Sequence, residues 1–203
     1  MRSLHVGGEA IQSSMRLGDP FALALDYTRC MMAFLLFHPE PRRALMIGLG
    51  GGSLPKFFFR HLRKTRVRVI ELDPRIVATA RTHFALPADG ERLAVEIGDG
   101  AEALAPECCD VLVVNFMDDD PRLAQYMRRL ESAFGGAVVS MRALYDQNIA
   151  AFALKGLPPR LEWEELRRRA GRLEAHLGLP FTRYLRRLRS MNHTEGASLV
   201  LGA

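Results

Sequence analysis

The apolar run Ala44–Ile47 breaks abruptly into Gly48-Leu49-Gly50-Gly51-Gly52, and a helical pattern, SLPKFFFRHLRK, follows at once. A short apolar stretch that ends in glycines and restarts as a helix is a strand–turn–helix joint. Pro55 falls in the first helical turn, where its missing N–H costs little. This joint constrains the fold more than any other feature, because it demands a tight, bare backbone between two regular elements.

The same alternation continues downstream. RVRVIEL reads as a strand, and DPRIVATARTHF as a helix with Asp73 as cap and Pro74 behind it. RLAVEIGDG is a third strand, AEALA a short helical piece and CDVLVVNF a fourth strand. DDDPRLAQYMRRLESAF reads as a helix whose acidic first turn suits the helix dipole. AVVSM and NIAAFALKG are two more strands. Strand and helix at this pitch predict an α/β fold, a doubly wound and mostly parallel sheet. Upstream, LHV, Gly7-Gly8 and EAIQSSMRL predict a β-hairpin with a glycine turn. DPFALALDYTRCMMAFLLF predicts a helix from Asp19, with Pro20 at its first position. Residues 1–40 are thus a hairpin with a lead-in helix, and residues 41–203 an α/β domain with a helical tail.

Three kinds of glycine loop compete for the joint. A phosphate loop needs Gly-Lys-Ser or Gly-Lys-Thr, but Lys56 sits behind Pro55. A dinucleotide loop, GxGxxG, needs a third glycine where the chain has Ser53 or Pro55. Gly48-Leu49-Gly50-Gly51-Gly52 fits GxGxG, the loop of adenosyl-methionine-type ligands, whose tail crosses the turn where a side chain would collide. Glu71 ends the second strand, placed to accept from both ribose hydroxyls. Asp99, in IGDG, ends the third strand, placed to accept from an adenine amino group. Open α/β sheets bind ligands at this carboxyl edge.

The totals leave few other classes. No apolar run approaches the roughly 20 residues of a membrane helix, and MRSLHVGGEAIQSSM lacks the apolar core of a signal peptide. A cytoplasmic protein is expected. Cys30, Cys108 and Cys109 have no disulfide or metal spacing, and the histidines show none either, so no metal is expected. Lysine appears only at Lys56, Lys64 and Lys155, an arginine bias expected of a GC-rich bacterial genome. The net charge is +5, with much of the basic excess after Arg160. Leu166, Ala170, Leu173 and Leu177 lay a core-facing stripe through that segment. Its charges therefore read as a solvated face of Glu–Arg pairs rather than a nucleic-acid patch.

On these residues the chain resembles the spermidine/spermine synthases, the polyamine aminopropyltransferases. The matching pieces are IGLGGGSLPKF, VIELDPRIVATARTHF, LAVEIGDGAEAL and CDVLVV, preceded by GGEAIQSSM and LDYTRCMM and followed by LEWEELRRRAGRLEAHLGLPF. The resemblance implies a methyltransferase-like Rossmann fold, decarboxylated S-adenosylmethionine as donor, a diamine such as putrescine as acceptor, and a homodimer paired through the hairpin. It places Gly48, Gly50 and Gly52 on the donor tail, Glu71 on the ribose and Asp99 on the adenine, with Gln12 and Tyr27 closing the site. A methyltransferase using S-adenosylmethionine shares the Gly48–Asp99 core. A non-catalytic nucleoside-binding homologue is the third reading.

The resemblance departs at the fourth strand. The family places an aspartate directly after it, as base and anchor for the amine; here the position reads Asn115, and an amide cannot accept the proton in the same way. Asp118 follows, with Asp119 and Asp120, in what reads as a helix start. Thr28 or Arg29 stands where the family has a glutamate, and Asp26 is the available substitute. One loop–helix–strand unit is absent after about residue 114, and VLVVNF can be read as the start of the fourth strand joined to the end of the fifth. A true deletion, a segment omitted from the sequence and divergence without catalysis all account for this. A gap in a sheet is costly, which argues against a quiet loss and for omission or marked rearrangement.

Overall fold

The computed structural model describes residues 1–5, 11–103 and 111–202. The Gly7-Gly8 turn, the end of the AEALA piece, Cys108 and Cys109 lie outside the described residues. The chain divides into two compact units, one of residues 1–28 and 40–108 and the other of residues 29–39 and 109–203.

In the first unit, β1 (Arg2–His5) and β2 (Ile11–Met15) pair antiparallel, as the hairpin pattern predicts. Helix α1 (Asp26–Met31) starts six residues later than the first helical position expected at Pro20. Asp19 caps a turn instead: its Oδ1 accepts from the Phe21 N–H at 3.3 Å, and its carbonyl accepts from the Ala22 N–H at 3.2 Å. Its carboxylate also pairs with Arg60 at 2.6 Å. With the local donors already satisfied, a helix through Pro20 is not required.

The predicted alternation then runs β3 (Arg43–Ile47), α2 (Ser53–His61), β4 (Arg66–Glu71), α3 (Pro74–His83), β5 (Leu93–Ile97) and the short α4 (Gly100–Ala103). β3, β4 and β5 form a parallel sheet in that order, with Ile47 opposite Ile70 and Glu71 opposite Ile97. Asp73 caps α3 by accepting from the Arg75 N–H at 2.8 Å, with Pro74 in the first turn as predicted. The register brings the carboxyl ends of all three strands to one edge.

In the second unit, α1 passes into a buried 3-10 turn, Met32–Leu36. Then come β6 (Val111–Met117), α5 (Leu123–Ala133), β7 (Val138–Arg142), β8 (Asn148–Leu154), β9 (Arg160–Glu162), α6 (Trp163–Leu177), α7 (Phe181–Met191), β10 (Thr194–Glu195) and β11 (Ser198–Val200). Among the described residues this unit holds no parallel pairing. β8 lies between β6 and β7 and runs against both, and every one of its seven residues is buried. β9, β10 and β11 make a small antiparallel sheet of their own. Asp118, Asp119 and Asp120 precede α5 rather than forming its first turn: Asp120 accepts from the Arg122 N–H at 2.8 Å, which caps a turn ahead of the helix. α6 ends at Gly178, whose φ of +67° is the left-handed cap conformation. Leu166, Ala170 and Leu177 are buried, and Glu164 and Glu165 pair with Arg167, Arg168, Arg169 and Arg172 across its outer face.

The Val114–Asn115 peptide lies inside the continuous strand β6, paired along its whole length with β8.

Candidate nucleoside site

The glycine loop leaves β3 with its backbone held on two sides. Gly48 N–H donates to the Ile70 carbonyl at 2.8 Å, and Gly52 N–H donates to the Leu49 carbonyl at 2.9 Å. Gly50 has φ +53°, and a Cβ there would stand 2.6 Å from Ser13 Oγ, so both conformation and space require glycine. Gly48, at φ +79°, has nothing within 4 Å of where a Cβ would sit. Its bare face is an open cradle, the shape a flexible ligand tail needs.

Glu71 ends β4 and is 9 % exposed. Its Oε2 accepts from the Leu49 N–H at 2.7 Å, and its Oε1 accepts from the Asp73 N–H at 3.0 Å. The carboxylate is thereby fixed against the glycine loop by its own backbone. A carboxylate offers about four lone-pair sites, so two remain for hydroxyl donors. Asp99 is exposed just past β5, and its carbonyl accepts from the Glu102 N–H at 3.2 Å. Ile47, Leu72 and Ile97 stand at the carboxyl ends of β3, β4 and β5 with 48 %, 71 % and 55 % exposure. Three exposed aliphatic side chains at one sheet edge suit the face of a flat base. Sequence reading passed over them, although each directly adjoins a polar or glycine strand end.

The hairpin reaches the same loop. Ser13 is buried on β2, and its Oγ accepts from the Gly51 N–H at 2.9 Å. This residue was also missed, its signal being only its place beside Gln12. Gln12 points the other way, into solvent, and its carbonyl accepts from Tyr27 Oη at 2.9 Å. So the fold brings Gln12 and Tyr27 together, and Ser13 against Gly50 and Gly51. Asp26 is buried at the start of α1, while Thr28 Oγ1 donates to the Leu25 carbonyl at 2.7 Å. Ser13→Ala will leave the Gly51 N–H without its partner and lower unfolding stability by about 1–3 kcal/mol, read from urea denaturation.

α2 carries an unexpected group. Lys56 is 1 % exposed, and its Nζ donates to the Phe84 carbonyl at 2.7 Å. Burial pushes its pKa down from 10.5 to about 8.

Asn115 and Asp118 belong to the second unit. Asn115 pairs with Ala150 across β6 and β8, two residues short of the end of β6, and its buried Oδ1 has no hydrogen-bond partner among the described residues. Asp118 follows β6, with its N–H on the Gln147 carbonyl and its carboxylate 2.5 Å from Arg142 Nη1. Its charge is therefore already matched. No helix among the described residues is long and apolar enough to cross a membrane.

A parallel α/β sheet with this glycine loop after its first strand and carboxylates at the ends of the next two is a methyltransferase-like Rossmann fold. Solved structures of that fold match the chain: human methyltransferase-like protein 13 in complex with SAH, with a TM-score of 0.63 at 19% identity over 85% of this chain and 95% of that one. A probable spermidine synthase from Corynebacterium glutamicum matches with a TM-score of 0.62 at 16% identity, over 93% of this chain and 86% of that one. No family profile matches the chain. The polyamine aminopropyltransferase of Chromobacterium violaceum is 33% identical over 99% of this chain and 90% of its own length. The chain belongs to the polyamine aminopropyltransferase family. That alignment spans 238 residues against a chain of 203, so the relative carries residues that face a gap here.

Proposed function

We propose that this protein binds decarboxylated S-adenosylmethionine and transfers its aminopropyl group to a diamine such as putrescine. The observation that carries the reading is the Glu71 carboxylate, fixed by the Leu49 and Asp73 N–H groups beside an open glycine cradle. In this reading Gly48, Gly50 and Gly52 take the donor tail, Glu71 the ribose hydroxyls and Asp99 the adenine amino group. Gln12 and Tyr27 close the site from the hairpin side. The acceptor nitrogen attacks the carbon beside the sulfonium, the C–S bond breaks, and methylthioadenosine leaves. The attacking amine has a pKa near that of lysine, about 10.4, so it must first lose a proton and be held close to the carbon.

The nucleoside half of this site is well supplied. Of the candidates for accepting the proton, Tyr27 lies in the unit that carries the glycine loop, whereas Asn115 and Asp118 belong to the other unit, and Asn115 can orient an ammonium but not deprotonate it. Transfer is expected to be slow relative to binding. The protein is further read as a cytoplasmic homodimer that needs no metal.

Titration calorimetry with methylthioadenosine on the intact chain is the test. Saturable binding is expected, and its absence sinks the proposal. Incubation with the donor and putrescine, cadaverine or spermidine then asks whether transfer occurs. The methyltransferase reading, favoured by the shared Gly48–Asp99 core, requires tighter binding of S-adenosylmethionine than of its decarboxylated form.

A further inference from the structure

Lys56 is the most deeply buried charged side chain among the described residues, and the chemistry of the proposed site does not use it. Burial is the sole cause of its lowered pKa, so no carboxylate among the described residues offsets the charge. A methionine of nearly the same length would fill the slot without that cost. What the lysine adds is a join between two segments. Its backbone N–H donates to the Gly52 carbonyl at 3.1 Å, which opens α2 at the end of the glycine loop, and its Nζ donates to the Phe84 carbonyl at 2.7 Å.

Phe84 is where α3 stops. Its N–H closes on the Ala80 carbonyl at 3.1 Å, and its own carbonyl is one of those a helix end leaves without an internal partner. A lysine on such a carbonyl is a favourable end to a helix. The next residue, Ala85, has φ +54° and is the only non-glycine residue at positive φ among the described residues. In that conformation its Cβ crowds the carbonyl that follows. The turn sends Leu86 back, so that its N–H also reaches the Ala80 carbonyl, at 3.3 Å.

The result is a wall against the glycine loop. The Phe84 ring stands 2.7 Å from where a Gly51 Cβ would sit, and Leu86 Cδ1 stands 2.7 Å from where a Gly52 Cβ would sit. Both side chains are buried. Every group in this arrangement belongs to the first unit. A strained backbone residue persists only where its surroundings impose it. Here the Lys56 side chain fixes the Phe84–Ala85 peptide plane through the Phe84 carbonyl. Without it that peptide is free to rotate, Ala85 returns to negative φ, and Phe84 and Leu86 lose their seats against Gly51 and Gly52.

We propose that Lys56 is a positioning residue for the ligand loop: by holding the Phe84 carbonyl it keeps Ala85 in its left-handed turn, and Gly51 and Gly52 in the shape that receives an adenosyl thioether. This rests on the reading of the glycine loop as the ligand cradle. Lys56 is buried and acts only through its neighbours.

Calorimetry with methylthioadenosine, and deuterium exchange without ligand, test this on variants of the intact chain. Lys56→Met will weaken binding by about tenfold, even though it stabilises the fold at pH 7. A lysine that only supported the fold would not separate those two effects. In the same variant the Gly51 and Gly52 amides will exchange at least about tenfold faster than in wild type, and the Val69 amide, in the central strand β4, will not. Adding Ala85→Gly will bring binding back to within about threefold of wild type, because glycine takes positive φ without strain. Leu86→Ala leaves Lys56 in place and will weaken binding in the same direction, which covers a failure of the Lys56 variants to fold. Binding by Lys56→Met within about twofold of wild type overturns the proposal, being below the usual range of such coupling. So do unchanged exchange at Gly51 and Gly52, no recovery with Ala85→Gly, and full affinity of a folded Leu86→Ala protein. A wild-type chain that does not bind methylthioadenosine overturns the nucleoside reading instead, and the exchange rates at Gly51 and Gly52 then decide by themselves whether Lys56 shapes the loop.

Discussion

Glu71→Gln will weaken methylthioadenosine binding by roughly 30- to 100-fold, and Glu71→Ala will abolish measurable binding. A hydrogen bond to a charged group contributes about 1.5–3 kcal/mol, so losing the charge beneath two ribose hydroxyls accounts for that range. Glutamine also turns an amide NH₂ toward either the Leu49 N–H or the Asp73 N–H, which now meet two acceptor oxygens. Donor faces donor, so the loop loses an anchor as well. Calorimetry reads the binding, and urea denaturation separates the loss of fold from the loss of affinity. A Glu71→Gln protein that stays folded and binds within threefold of wild type removes Glu71 from the site.

Lys56→Met will stabilise the protein at pH 7 and flatten its stability between pH 8 and 10.5. The folded pKa lies near 8 and the unfolded value near 10.5. Between those values the unfolded chain holds a proton that the native lysine has released, so unfolding free energy rises with pH. Below about pH 8 both states are protonated, and the full cost of burying the ammonium is present. That cost is on the order of 3 kcal/mol. Losing the hydrogen bond to the Phe84 carbonyl offsets about 1–2 kcal/mol of it, so a net gain on the order of 1–2 kcal/mol is expected. Urea midpoints of both proteins at pH 7 and pH 10 check it. A wild-type stability that rises no more than that of the variant across this window refutes the assignment to Lys56.

The first unit's β/α alternation was legible because each element carries its own local signal. The Asp73 cap, Pro55 and Pro74 in first turns, and the glycine joint are satisfied within a few residues of themselves. The start of α1 was not, because Asp19 spends its acceptors on a turn and its charge on Arg60, far away in sequence. Strand direction in the second sheet was hidden for another reason. NIAAFAL is buried on both faces, and a fully buried strand has the same composition whether its neighbours run with it or against it. β9, β10 and β11 are too short for any period to appear. In the candidate site, Gly48, Gly50, Gly52 and Glu71 are proposed from their spacing alone. Ser13 is not, since a serine in a strand shows its partner only when the loop it meets is in place.

The order in which the chain visits its two units has a consequence for synthesis and for cutting. Residues 29–39 belong with residues 109–203, yet the whole of residues 40–108 is made between them. That early segment is almost entirely apolar where it is deepest: Cys30, Met32, Ala33, Leu35 and Leu36 are all 2 % exposed or less. On the ribosome it emerges long before the strands and helices that bury it, and must wait as exposed hydrophobic chain while the first unit is completed. No single backbone cleavage can divide the protein into two independently complete pieces. A fragment ending near residue 108 would keep the glycine loop and Glu71, but would carry a sticky, unclaimed segment that only the missing half can cover.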